Sequence, residues 1–265
     1  MTTLSNISIY PVKSLRGYDI SSALVERMGL ENDRRLMVVD PQGQFLTQRE
    51  HAQMALIKTV IEGDWLSLNA PGMEPFLCTI RTIGLRQDVE IWSSSAVAAI
   101  DQGEEAAQWL STFLHMPARL VRMANDYQRK VSRDYAVKQD DHVSFADGFP
   151  ILIISQPSLD DLNQRLENPI QMNRFRTNLV VSGCQPFEED TWKRIRIGEV
   201  ELALVKPCAR CNVPTINQET AESGKEPSAT LARFRKINGK IMFGVNVIPV
   251  TTGKIHVGQE IEILE

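Results

Sequence analysis

The stretch Leu4-Ser5-Asn6-Ile7-Ser8-Ile9-Tyr10, running into Pro11-Val12-Lys13-Ser14-Leu15-Arg16-Gly17, sets the expectation for the fold. Its apolar and polar residues alternate roughly with period two as far as Pro11, the pattern of a half-buried strand that ends in a turn. The same pattern continues outward. Leu36–Val39 and Phe45–Leu46 flank Asp40-Pro41-Gln42-Gly43, turn chemistry for a hairpin. Ile57–Ile61 and Trp65–Leu68 flank Glu62-Gly63-Asp64 in the same way, and Val89-Glu90-Ile91-Trp92 reads as a further strand. One segment breaks the rhythm. Ala106, Trp109, Leu110 and Phe113 recur at helical spacing, behind Glu104 and Glu105 and ahead of Pro117, which predicts a helix over 103–115.

Residues 124–143 form a polar, charged connector, and a soft boundary is expected there between regions 1–123 and 124–265. Beyond it, Pro150–Ile154 reads as a buried strand. Ser158 reads as the N-cap of a short helix to about Leu166. Leu179–Val181, Ile195–Ile197 and Glu199–Val205 are strand-like, and Pro227–Lys236 is a short helix with Leu231 and Phe234 inward and a stop at Asn238-Gly239. Ile241–Ile248 and Lys254–Ile263 read as closing strands. There is no repeat of fixed period and no glycine-rich phosphate loop, which argues against a doubly wound nucleotide fold. The expected class is mostly β (α+β), barrel-like, with short helices.

Composition narrows the function. The 265 residues are 43% hydrophobic and 23% charged, ordinary for a globular chain. A net charge of −4 argues against non-specific nucleic-acid binding but leaves room for a local basic pocket. The first residues show no secretory or mitochondrial leader, and the apolar runs are strand-sized, so neither membrane insertion nor export is expected. The four cysteines, Cys78, Cys184, Cys208 and Cys211, are too few for a disulfide scaffold, so the expected compartment is the cytoplasm.

Chemistry concentrates at Lys206-Pro207-Cys208-Ala209-Arg210-Cys211. A Cys-x-x-Cys alone has several readings: two core cysteines, half of a zinc site, or a redox pair. A second ligand pair for zinc is missing. A redox pair would run into a helix, whereas Asn212-Val213-Pro214-Thr215-Ile216 reads as extended chain. A fourth reading is a single thiolate in a positive pocket, flanked by Lys206 and Arg210, which would suit a soft transition metal. Lys13-Ser14-Leu15-Arg16, Asn32-Asp33-Arg34-Arg35, Thr47-Gln48-Arg49 and Asn173-Arg174-Phe175-Arg176-Thr177-Asn178 place cations beside strands, as an anion cradle or as solvated surface charge. Ser144-Phe145-Ala146-Asp147-Gly148-Phe149-Pro150 is a turn that would carry a carboxylate and backbone N–H groups.

Taken in order, Pro11-Val12-Lys13-Ser14, Asp33-Arg34, Phe45-Leu46-Thr47-Gln48-Arg49, Asp147-x-x-Pro150, Asn173-x-Phe175-Arg176-x-Asn178 and Cys208-x-Arg210-Cys211 resemble the MOSC-domain proteins. The similarity runs from Ile7 to about Ile263. It is to the branch with an N-terminal β-barrel partner domain, the amidoxime-reducing components and bacterial reductases of N-hydroxylated bases. The resemblance implies an N-terminal barrel-like region packed on a C-terminal MOSC β-barrel, and a molybdenum cofactor (Mo-molybdopterin). It implies Cys211 as the metal ligand. Lys13, Ser14, Arg34, Arg176 and Asn178 would hold the pterin and its phosphate, and Gly148, Phe149, Ala209 and Arg210 would contribute by backbone or side chain. Asp147 would lie near the metal as a catalytic group, and Cys208 matches a family cysteine that is not the ligand.

Thr177 stands where relatives often carry proline, a change in loop rigidity. The chain also lacks the plant-type cysteine run of an iron–sulfur domain. A reductase of hydroxylamines, amidoximes or N-hydroxy purines is therefore expected to draw electrons from a separate ferredoxin-, flavodoxin- or cytochrome-type protein with its reductase. The alternative is a cofactor carrier or sulfur-transfer protein acting through Cys211.

Overall fold

The structure, a computed structural model, describes every residue from Met1 to Glu265. The opening strand spans Thr3–Ile9, buries Leu4, Ile7 and Ile9, and pairs on one edge with Tyr18–Ile20. Its other edge pairs antiparallel with Leu179–Ser182, from the distant half of the chain. The sheet then continues through Ile151–Ser155, Lys240–Pro249, Val200–Ala209 and Arg194–Ile197 to Ile261–Ile263. It does not close: its outer strands do not pair, and a lone bridge between Thr3 and Glu260 ties the opening strand to the C-terminal edge. Leu4, Ile7 and Val25 share one apolar core with Ile153, Val181, Leu202 and Val247.

A second core lies within the first 120 residues, around Val12, Leu15, Leu36, Leu66 and Leu110. Its turns follow the local chemistry. Asp40 accepts the N–H groups of Gln42 and Gln44 on one carboxylate oxygen, both at 2.9 Å, which folds the chain back after Leu36–Val39. Phe45 returns only as an isolated bridge to Val39, a shorter second arm than the alternation suggests. Lys58–Glu62 and Trp65–Asn69 form the expected hairpin about Gly63-Asp64. The helix spans Glu104–Leu114 with Ala106, Trp109 and Leu110 buried, while Phe113 is half-buried against the Trp109 ring. No helix is long and apolar enough to cross a membrane.

Several boundaries differ from the sequence reading. The next helix spans Gln156–Asn163 and is capped by Ser155, whose hydroxyl accepts the Ser158 N–H; Ser158 is inside the helix. After Cys211 the chain does not stay extended but makes a 3₁₀ turn at Val213–Thr215, with Pro214 in its first turn, where no N–H is needed. The Ser228–Phe234 helix stops before Asn238-Gly239, which instead turns the Lys236–Ile237 and Lys240–Pro249 hairpin. The last strand splits into Gly253–His256 and Ile261–Ile263.

Candidate functional site

The Val200–Ala209 strand bulges twice against Lys240–Pro249, once between Leu204 and Lys206 and again between Pro207 and Ala209. Pro207 has no N–H to give to the ladder, and bulges bend and twist a strand, so Cys208–Cys211 leave the sheet at its end. They enter a cleft of about 900 Å³, counting its open mouth. All eleven residues singled out from the sequence line it: Lys13, Ser14, Arg34, Asp147, Gly148, Phe149, Arg176, Asn178, Ala209, Arg210 and Cys211. Arg49, Trp92 and Cys208 line it too. Lys206 does not; its ammonium lies 4.2 Å from the centre of the Tyr135 ring. Arg16 turns away to pair with Glu219, and Arg35 with Glu26.

The basic side chains are held individually. Arg34 donates to Asp33 Oδ2 at 2.6 Å, to Asn178 Oδ1 at 3.0 Å and to the Arg176 carbonyl at 2.9 Å. Asn178 also accepts from the Leu152 N–H and donates to the Ser8 carbonyl, so its amide both positions Arg34 and bridges strands. Arg176 donates to the Leu15 carbonyl at 2.6 Å. Its guanidinium and that of Arg34 lie 4.4 and 4.3 Å from the centre of the buried Tyr10 ring. Burial, reinforced by the Arg34 charge, lowers Arg176 to about 10, so it remains charged at neutral pH. Arg210 donates to Cys208 Sγ at 3.1 Å and to the Phe175 carbonyl at 2.8 Å; Cys208, not Cys211, receives its hydrogen bond.

Lys13 is buried and donates to Asp147 Oδ1 at 2.5 Å, while Arg49 Nη2 lies 3.6 Å from Asp147 Oδ2. Burial pushes the Lys13 ammonium down, and Asp147 pulls it partly back. The Asp147 side chain lines the cleft and is 64% accessible. Desolvation there raises its carboxyl, yet the Lys13 charge and hydrogen bond, with Arg49 and Arg34 beyond, outweigh it and hold the group well below the usual carboxylate range. Asp147 is thus an acceptor rather than a proton donor at neutral pH. Behind the loop, Arg129 donates to the carbonyls of Ser144, Ala146 and Asp147. Burial lowers its guanidinium to about 10.

Two family models match the chain, the MOSC N-terminal beta barrel domain over residues 1–117 and the MOSC domain over 140–262. Among curated relatives, mitochondrial amidoxime reducing component 2 of Bos taurus is 35% identical over 88% of this chain and 72% of its own length. Mitochondrial amidoxime-reducing component 1 of Homo sapiens is 34% identical over 99% and 83%. The chain belongs to the MOSC-domain family.

The cleft of this MOSC protein suits an anionic group with a soft metal. Five cations, Lys13, Arg34, Arg49, Arg176 and Arg210, line it against the single carboxylate of Asp147. Arg210 Nε is buried without a partner, and the N–H groups of Ser14, Gly148 and Phe149 make no hydrogen bond within the protein. A Cβ built on Gly148 meets nothing within 4 Å. For a metal, the cleft offers Cys208, Cys211 and a carboxylate already paired with Lys13, so further ligands would come with the metal's own organic carrier. Sequence reasoning missed Arg129, which acts on backbone carbonyls; it placed Arg49 only in a general anion cradle and read Trp92 only as a strand residue. The one signal for Trp92 was an aromatic residue at the tip of a polar hairpin.

Proposed function

We propose that this MOSC-domain protein is a molybdenum-cofactor-dependent reductase of N-hydroxylated compounds. The observation that carries the reading is convergence: eleven residues from five separate stretches of sequence meet in one cleft where five cations surround one carboxylate and a cysteine strand. The amidoxime-reducing names of its relatives support that substrate class. Cys211 would give the metal its protein thiolate. Lys13, Arg34, Arg176 and Arg210 would face the phosphate and pterin, with the N–H groups of Ser14, Gly148 and Phe149 as added donors. Asn178 acts by holding Arg34, and Ala209 by backbone. Asp147, ionised, accepts a hydrogen bond from the substrate's N–H or O–H edge, while Phe149 and Trp92 wall the cleft against water. The bound cofactor supplies the redox chemistry, in which two electrons and two protons turn N–OH into N–H and water. The electrons come from a separate carrier protein, a brief and modest contact.

The test is substrate reduction with donor components added one at a time. Turnover should be absent with NADPH alone and sustained with reduced viologen. Cys211→Ser should abolish it with the fold intact, and Cys208→Ser should be far milder. Sustained turnover with NADPH alone, or a Cys211→Ser variant at the parent rate, would refute the reading. A metal-loaded protein that stays silent with viologen would favour a cofactor carrier.

A further inference from the structure

Arg49 and Trp92 come from the N-terminal half of the chain and face the cleft beside Asp147. Trp92 sits at the tip of the hairpin between Arg86–Ile91 and Ser94–Asp101 with φ 54°, a left-handed conformation that is unfavourable for a bulky side chain. Its indole is fixed from three sides. Phe45 meets it edge-on at 4.6 Å, its Nε1 donates to Asp147 Oδ1 at 3.3 Å, and Lys13 Nζ lies 5.4 Å from the ring centre. The residue is nevertheless 41% exposed. On the ring rests the Arg49 guanidinium, its carbon 4.2 Å from the centre, with Nη2 3.6 Å from Asp147 Oδ2. That separation is too long for a hydrogen bond, so stacking and charge alone hold the guanidinium there.

A flat, delocalised N–C–N group therefore lies on an aromatic face with a carboxylate at its edge. An amidoxime or an N-hydroxyguanidine has the same flat frame and presents N–H groups along one edge. We infer that the Trp92 face and the Asp147 edge form the platform on which the planar N–C–N group of an N-hydroxylated substrate stacks, and that Arg49 is the chain's own stand-in, displaced as substrate enters. Trp92 is then a specificity residue, favouring planar conjugated substrates over aliphatic hydroxylamines. The identity of the ligand rests on the reductase reading; the platform itself does not.

The experiment is calorimetric titration of the full-length protein with benzamidoxime, and with N-methylhydroxylamine as a probe lacking the flat frame. Trp92→Ala should weaken benzamidoxime binding by roughly threefold to tenfold, the range of an aromatic stacking contact, and Trp92→Phe by less. Arg49→Ala should tighten it by removing the competitor, and N-methylhydroxylamine, with no flat frame to stack, should respond less to Trp92→Ala than benzamidoxime does. No binding of benzamidoxime, or equal affinity in wild type and a folded Trp92→Ala protein, would overturn the platform. Weaker binding by Arg49→Ala would make Arg49 a ligand contact and overturn its role as stand-in. Binding through Trp92 without any reduction under viologen would sink the reductase reading and leave the platform standing. Reduction of benzamidoxime with Kd and KM both untouched in Trp92→Ala would do the reverse.

Discussion

Ser14, Arg34, Trp92 and Arg176 all hold left-handed backbone conformations on the wall of one cleft, four of the ten non-glycine residues that do so in the chain. Each such residue costs on the order of 1–3 kcal/mol and persists only where its surroundings over-determine it. Arg34 illustrates how, with Asp33, Asn178 and the Arg176 carbonyl all accepting from its guanidinium. Asp147 carries the clearest consequence for pH. Its folded-state carboxyl is depressed, so its contribution to stability is complete above the ordinary carboxyl range and is lost as pH falls through the depressed value. Asp147→Asn leaves Lys13 buried without its counter-ion and should destabilise the protein at pH 7. The gap between variant and wild type should begin to narrow as pH drops below about 4. Urea denaturation at neutral and acid pH measures it, and an undiminished gap at the acid end would contradict the pairing.

Among the elements, the turn that follows the opening strand positions the basic residues. A Cβ at Gly17 would fall 2.2 Å from the Ile9 carbonyl oxygen and 2.4 Å from Tyr10 Cδ1, and Tyr10 is the ring on which Arg34 and Arg176 rest. Gly17→Ala should therefore destabilise by about 1–3 kcal/mol, as overpacking does. Gly148→Ala should leave stability unchanged, because its Cβ meets open space. Equal denaturation midpoints for all three proteins would show that Tyr10 tolerates displacement. The periodic elements were legible beforehand because a half-buried strand and a one-sided helix write their burial into the sequence, as at Thr3–Ile9 and Glu104–Leu114. Caps were less so. Ser155 and Ser158 are both cap chemistry, and Pro157 in the first turn was the local sign that Ser155 starts the helix. The turn at Val213–Thr215 is hidden by Pro214, which breaks a helix in its interior but, in a first turn, needs no N–H.

At the scale of the whole molecule, the chain crosses its own midline. Thr3–Ile9 completes a sheet whose other strands come mostly from beyond residue 150, and it hands Lys13 and Ser14 to a cleft that also takes Asp147 and Cys211. The meeting of these residues in one cleft was legible through an ordered set of motifs, each weak alone. Its supports were not: Arg129 works on carbonyls 15 to 18 residues away, and the Trp92 contact with Asp147 spans 55 positions. An acidic protein thus gathers five cations and two cysteines in one cleft, the chemistry that the proposed anionic cofactor with a soft metal would need. The most direct measurement is the metal content of wild type and Cys211→Ser, purified from cells able to make the cofactor. The account predicts near-stoichiometric molybdenum with matching pterin in the wild type and loss of molybdenum in Cys211→Ser. Wild-type protein without molybdenum, or with zinc that disappears equally on replacing Cys208 or Cys211, would contradict it.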